Sequence, residues 1–239
     1  PIDLAAPKGR LILPQVQVLR EVLDAGAMAL TVKESEVTDM LRGLAAKPAL
    51  VITDSQAVRE VAAAVPEDIR LTTFSTLFAR YKGDFAAQLA GAAAIDTLKD
   101  GDRVLIAEGC SHHVTCDDIG RVKIPNWMKK YTGRELKFEW TQGADFPDNL
   151  EDYALVVHCG GCMLNRAEVR RRINECARQG VKVTNYGIVI SKMQGVLERV
   201  VKGIADAGAT GSVSDTGSIS DTGSISDTGS ISDTGEEGD

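Results

Sequence analysis

The sequence has no apolar run as long as the roughly 18 residues that a membrane-spanning helix needs, and no charged and then apolar leader opens it. It has no basic excess either, because its formal net charge is -7, and this argues against a general nucleic-acid-binding protein. We therefore expect a cytoplasmic protein that acts neither in a membrane nor on nucleic acid.

Cysteine is scarce as well, with five residues in the chain. An odd number of clustered cysteines without a secretory signal favours metal or redox chemistry over a disulfide framework. The first 76 residues contain no cysteine, no histidine and no phosphate-binding loop of the Gly-x-x-x-x-Gly-Lys-Ser/Thr type. We expect this region to serve in packing or self-association.

Short β-branched runs alternate with patterns of helical spacing. Strands separated by helices pair in parallel, because each crossover needs about a dozen residues. The predicted strands are 11–13, 29–32, 49–53, 69–73, 104–107, 136–140, 153–157 and 181–184, and the predicted helices include 34–44, 165–179 and 188–204. The sequence thus predicts an α/β protein of two small units with mainly parallel sheets, at residues 1–76 and 77–206.

The C-terminal segment 207–239 consists mainly of a six-residue repeat, Ser-Val/Ile-Ser-Asp-Thr-Gly. Its one apolar residue in each repeat cannot offset the entropy lost on ordering the others. We predict a low-complexity, disordered tail, and we assign it no function.

Two motifs carry the candidate chemistry, and each follows directly after a predicted buried strand. The first contains Cys110 and His112, and the second contains His158, Cys159 and Cys162. In open parallel sheets, sites form beyond the carboxyl ends of the strands, so the motifs converge if their strands are neighbours. Three cysteines and two histidines are enough ligands for a zinc ion or an iron-sulfur cluster.

The other candidate residues have different expected roles. Cys176 falls on an apolar helical stripe, which predicts core packing, and Cys116 is interpreted as a bystander of the first motif. Arg121, Lys123 and Arg166 lie near the two motifs in sequence. We expect some of these three to contact an anionic ligand on the cluster.

Three segments around these motifs resemble the HydF family of FeFe-hydrogenase maturation factors. They are residues 108–113 (Glu-Gly-Cys-Ser-His-His), 116–125 (Cys-Asp-Asp-Ile-Gly-Arg-Val-Lys-Ile-Pro) and 157–163 (Val-His-Cys-Gly-Gly-Cys-Met). The resemblance extends over about residues 1–205 and implies that the N-terminal unit is a dimerisation domain. The family's N-terminal GTPase domain is absent from this sequence, so we expect no GTP hydrolysis by this chain. The repetitive tail has no known counterpart in the family.

The resemblance also implies that the three cysteines bind a 4Fe-4S cluster with an open or exchangeable fourth iron site. A histidine or another oxygen or nitrogen donor would occupy that position. The protein would be a scaffold and carrier rather than an enzyme. As a homodimer, it would receive a dinuclear iron precursor with carbonyl and cyanide ligands, assembled with radical-SAM maturases, and pass it to apo FeFe-hydrogenase.

Three alternatives remain open from the residues alone. Cys110, His112, Cys159 and Cys162 could form a tetrahedral structural zinc site. A strand followed by Cys-Gly-Gly-Cys is also compatible with a thiol-disulfide oxidoreductase, although that leaves Cys110 and both histidines unexplained. The third alternative is a dimeric interaction module that does not need its cysteines.

Overall fold

The computed structural model describes residues 1–2, 10–109 and 118–205 of the chain. Its α-helices are α1 (Leu13–Asp24), α2 (Val37–Gly43), α3 (Val58–Ala64), α4 (Phe74–Lys82), α5 (Phe85–Ala92), α6 (Ile124–Thr132), α7 (Arg166–Arg178), α8 (Tyr186–Met193) and α9 (Leu197–Ala205). Its strands are β1 (Val51–Thr53), β2 (Leu71–Thr73), β3 (Arg103–Ala107), β4 (Lys137–Thr141), β5 (Leu155–His158) and β6 (Lys182–Asn185). A π-helix, Ile119–Lys123, precedes α6. None of the described helices is long and apolar enough to cross a membrane.

The strands form two parallel sheets, which confirms the predicted α/β class. Strands β1 and β2 pair in the N-terminal unit, and the second unit has the strand order β4-β3-β5-β6. The central pair, β3 and β5, is aligned so that Ala107 lies opposite His158. The segments that follow β3 and β5 therefore begin at the same edge of the sheet. The proposed domain boundaries stay predictions, and the tail 207–239 lies outside the described residues.

Several predicted elements are wrong, for identifiable reasons. Residues 11–13 form no strand, because Leu13 begins α1 and Pro14 suits the first turn of a helix. Residues 29–32 form no strand either; beside them, Lys33 makes only an isolated bridge with Ile2. The predicted helix 188–204 is two helices, α8 and α9, because Gly195 between them has a positive φ of 74°.

The four-stranded sheet is covered on both faces. Alternate residues of β3 and β5 face opposite sides, as the pleat of a strand requires. Val104 and Val157 pack with α6 and α8, whereas Leu105 and Val156 pack with α7. Burial on both faces explains why these strands read as continuous apolar runs in the sequence.

Helix α5 packs closely against the edge strand β6, and helix α9 packs closely against the edge strand β2. A Cβ atom on Gly91 of α5 would lie 1.9 Å from the Val183 carbonyl oxygen of β6. A Cβ on Gly203 of α9 would lie 2.1 Å from the Leu71 carbonyl oxygen of β2. The two glycines thus let each helix backbone contact an edge strand, which protects that edge from pairing with another chain.

Candidate metal centre

The residue before the first cysteine motif, Gly109, lies beside the second motif at the carboxyl ends of β3 and β5. The Cys159 amide donates to the Ala107 carbonyl oxygen at 2.9 Å, which continues the pairing of the two strands by one residue. The amide of Gly109, the residue before Cys110, donates to Cys159 Sγ at 3.1 Å. The structure therefore brings the residue that precedes Cys110 to the first sulfur of the second motif. Cys110, His112 and Cys116 themselves lie outside the described residues.

The sulfur of Cys159 is the focus of two backbone hydrogen bonds. Besides the Gly109 amide, the Gly161 amide donates to it at 3.3 Å. Burial raises the pKa of the Cys159 thiol, and the two amides act in the opposite direction. Burial also raises the pKa of Cys162, with a further contribution from the nearby Cys159. A metal bound at these sulfurs would displace protons, so its binding would be favoured at higher pH.

Three glycines leave room around that sulfur. Gly161 has a φ of 64°, in the left-handed region that favours glycine. A Cβ on Gly109 would lie 2.7 Å from Leu164 Cγ and 3.5 Å from Cys159 Sγ. A Cβ on Gly160 would come within 3.3 Å of Ser75 Oγ. The backbone can approach the sulfur, and α4 can approach the loop, because these positions have no side chains.

Lys82, at the end of α4, holds the loop 159–164, which contains Cys159 and Cys162 and leads to α7. Its ammonium donates to the carbonyl oxygens of Gly161 at 3.0 Å, Cys162 at 3.2 Å and Leu164 at 2.8 Å. The residue is 8% exposed. Sequence reasoning missed Lys82 because it lies far from both motifs in the chain and belongs to no pattern of its own.

The His158 ring is buried, and its protonation follows from its contacts. Nδ1 lies 2.7 Å from the Cys159 carbonyl oxygen. Because a carbonyl oxygen can only accept, Nδ1 carries the proton and Nε2 has a free lone pair. Nε2 is buried without a hydrogen-bond partner among the described residues. Burial lowers the pKa of His158 to about 4, so the ring is neutral at physiological pH. Its role as a ligand stays a prediction.

A buried carboxylate, Glu108, supports the other side of the site. It accepts a hydrogen bond from Gln142 Nε2 at 3.2 Å and from the Tyr186 hydroxyl at 3.3 Å, and it forms an ion pair with Arg121 at 3.6 Å. Burial raises the pKa of Tyr186 well above its usual value. Gly120 fits beside this group, since a Cβ there would lie 2.2 Å from the Tyr186 hydroxyl. The network thus connects Glu108, which follows β3, with Arg121 of the π-helix.

The three predicted basic residues have different surroundings. Arg121 pairs with Glu108, and its guanidinium lies 5.6 Å from the centre of the Trp140 ring. Lys123 instead donates to Gln56 of the N-terminal unit at 2.5 Å. Arg166 is exposed at the start of α7. Contacts of these side chains with an anionic ligand stay predictions.

Cys176 is not part of this centre. It is fully buried on α7, in the core cluster of that face of the sheet, which confirms the predicted core packing. Burial raises the pKa of its thiol to about 12. Cys176 therefore offers a matched control for the other cysteines.

The residues at the second motif fit the ligand chemistry of an iron-sulfur cluster. Two cysteines lie in one glycine-containing loop, and amide hydrogen bonds to sulfur are one of the means by which proteins tune such clusters. Within residues 1–2, 10–109 and 118–205, no three or more His, Cys, Asp or Glu side chains are grouped so as to hold a metal ion. Cys110 as a third ligand stays a prediction.

Comparison with known proteins finds a family model for each of two consecutive parts of the chain. Residues 1–83 match the family model of the hydrogen maturase F dimerization domain. Residues 86–203 match that of the hydrogen maturase F tetramerization domain. A search of curated proteins finds none that matches this chain. Since the two models together match most of its residues, the chain belongs to the hydrogen maturase F family.

Proposed function

We propose that this chain is a cluster-binding scaffold and carrier in hydrogenase maturation. In this proposal Cys110, Cys159 and Cys162 hold a 4Fe-4S cluster, and His112 or His158 is the candidate for a displaceable fourth ligand. The protein holds a dinuclear iron precursor with carbonyl and cyanide ligands and delivers it to apo FeFe-hydrogenase. Its family gives the chain a role in hydrogenase maturation, and the carrier step is the part that we add.

One contact carries the proposal: the hydrogen bond from the Gly109 amide to Cys159 Sγ. It connects the residue before the first motif with the second motif, which is far away in sequence, at a sulfur that would bind iron. The direct peptide link from Gly109 to Cys110 makes a third thiolate at the same point the simplest completion of the site. A cluster held by three thiolates keeps one iron available to an exchangeable ligand, as catalytic metal sites keep an open position.

The surrounding residues would serve this role in distinct ways. The amides of Gly109 and Gly161 stabilise negative charge on Cys159 Sγ. The Nδ1 hydrogen bond of His158 keeps its Nε2 unprotonated, which is the state a ligand needs. The buried positions of His158 and Glu108 limit access of water from the sheet side.

Self-association is part of the proposal. The names of both matched domains describe assembly, and the N-terminal unit exposes large apolar side chains at its start. Leu23, Met28 and Leu30 are 52%, 98% and 60% exposed. Apolar exposure of this kind is typical of a surface that another chain covers. Homodimer formation, radical-SAM maturases as suppliers and apo FeFe-hydrogenase as recipient are the partners we propose.

The raised pKa values of Cys159 and Cys162 argue against the thiol-disulfide alternative. Reactive cysteines in such enzymes have a pKa below that of the free thiol, because the thiolate is the nucleophile. Here burial raises the pKa of both thiols. Both are better suited to a ligand, whose proton leaves when the metal binds.

Anaerobic reconstitution with iron and sulfide tests the proposal. The wild-type chain should acquire iron and sulfide in equal amounts and give a 4Fe-4S EPR signal after reduction. A variant with Cys110, Cys159 and Cys162 all replaced by alanine should lose that signal, because no thiolate ligand remains. The control, Cys176→Ala, should retain it at a cost in stability of about 1 kcal/mol for the small cavity.

Two outcomes would contradict the carrier. A colourless wild-type protein that retains one zinc ion per chain would indicate a structural metal site. Equal loading of the triple variant and the wild type would mean that these cysteines are not the ligands. The Cys176→Ala control excludes a general effect of removing a thiol.

A further inference from the structure

We propose that Lys82 is a positioning residue of the cluster site: it fixes the loop 159–164 that carries two of the ligands, and its charge sets the electrostatic environment of their sulfurs. The inference rests on the proposed function for its second half. Its first half concerns the metal-free protein and can be tested separately.

The geometry uses the full donor capacity of the side chain. A lysine ammonium has three N–H donors, and the three carbonyl oxygens that Lys82 contacts all belong to the same loop. Gly161 is at the turn of this loop, and its carbonyl oxygen also accepts from the Leu164 amide at 3.1 Å. The hydrogen bonds within the loop leave these three carbonyl oxygens only partly paired, and Lys82 supplies the additional donors.

The Lys82 ammonium is largely buried, in surroundings that are unfavourable for an unpaired charge. Lys82 is 8% exposed, and its Nζ atom lies 4.9 Å from the centre of the Phe78 ring. Burying a charge is unfavourable unless it is paired and hydrogen-bonded, so the three carbonyl oxygens stabilise the ammonium here, and negative charge on a cluster held by the same loop would stabilise it further.

The contact also joins the two matched parts of the chain. Lys82 is the last residue of α4 and lies within residues 1–83, whereas the loop lies within residues 86–203. The same helix contacts the loop a second time, through Ser75 opposite Gly160. The ligand loop is thus held from the part of the chain that matches the dimerization domain.

Three variants separate the effect of Lys82 on the position of the loop 159–164 from the effect of its charge. Lys82→Met removes the donors and the charge while it keeps an unbranched apolar stem. Lys82→Arg keeps the charge, but its planar fork cannot direct three donors at the same three oxygens. Lys130→Met is the matched control, because Lys130 is exposed on α6.

Hydrogen exchange of the Leu164 amide in the metal-free protein measures position. We expect Lys82→Met to accelerate it by about tenfold, Lys82→Arg to accelerate it less, and Lys130→Met to leave it unchanged. The reduction potential of the reconstituted protein measures charge. It should fall in Lys82→Met, because a nearby cation stabilises the more negative reduced state, and stay close to the wild-type value in Lys82→Arg.

Unchanged Leu164 exchange in a folded Lys82→Met protein would overturn the positioning role. Faster exchange with an unchanged reduction potential would overturn the electrostatic role and leave Lys82 as a structural contact. If the wild-type chain acquires no cluster, the proposed function fails instead, and the exchange measurement still decides whether Lys82 fixes the loop. Near-native circular dichroism of each variant shows that it is folded.

Discussion

Replacement of Gly91 by alanine is expected to lower the free energy of unfolding by about 3 kcal/mol or more. The added Cβ would lie 1.9 Å from the Val183 carbonyl oxygen and 2.6 Å from its carbonyl carbon, both of them backbone atoms. Neither atom can rotate away as a flexible side chain would, so α5 would have to move off the edge of β6. Urea unfolding followed by circular dichroism measures the loss.

Gly43→Ala is the matched control for this prediction. Gly43 ends α2, has no positive φ, and a Cβ there would meet nothing within 4 Å. Alanine should leave stability unchanged or raise it by about 0.5 to 1 kcal/mol, because it loses less backbone entropy in a helix. Equal stabilities of Gly91→Ala and Gly43→Ala would mean that α5 does not contact β6 as described.

Local patterns were sufficient to predict most of the four-stranded sheet. Strands β3 and β5 are short apolar runs bounded by polar or turn residues, and their burial on both faces produces such runs. The same reasoning failed at residues 11–13 and 29–32, where a few apolar residues fit either a strand or another conformation. Pairing partners decide such cases, and they are not visible in a short window of sequence.

The candidate cysteines were recognisable in the sequence, whereas the residues that contact their loop and strand ends were not. Cys159 and Cys162 are recognisable by their spacing, and strand ends indicate where they lie. Lys82 and Glu108 act through contacts with residues far away in sequence, and neither belongs to a motif. Nothing local distinguishes Lys82 from an exposed lysine on a helix, because its function depends on the loop that packs against α4.

The His158 ring predicts the pH dependence of stability in the metal-free protein. Its pKa falls from 6.5 to about 4 on folding, chiefly because burial disfavours the charged ring. A group whose pKa is depressed in the folded state contributes no penalty above its unfolded pKa and an increasing one below it. Stability should therefore fall between pH 6.5 and 4, by about 1.4 kcal/mol per pH unit and about 3 kcal/mol in total.

The variant His158→Asn isolates this effect, because an amide can still donate to the Cys159 carbonyl oxygen and does not titrate. Arginine partners lower the pKa of Glu168 to about 2. Protonation of such carboxylates in acid destabilises both proteins alike. The difference in slope between the two proteins is therefore due to residue 158.

We expect the wild type to lose stability more steeply than His158→Asn below pH 6.5, measured by urea unfolding at a series of pH values. Parallel curves would mean that His158 is accessible to water and protonates in place. A neutral, buried ring with a free Nε2 is also what a displaceable ligand requires, so the steeper loss would support His158 as a candidate beside His112.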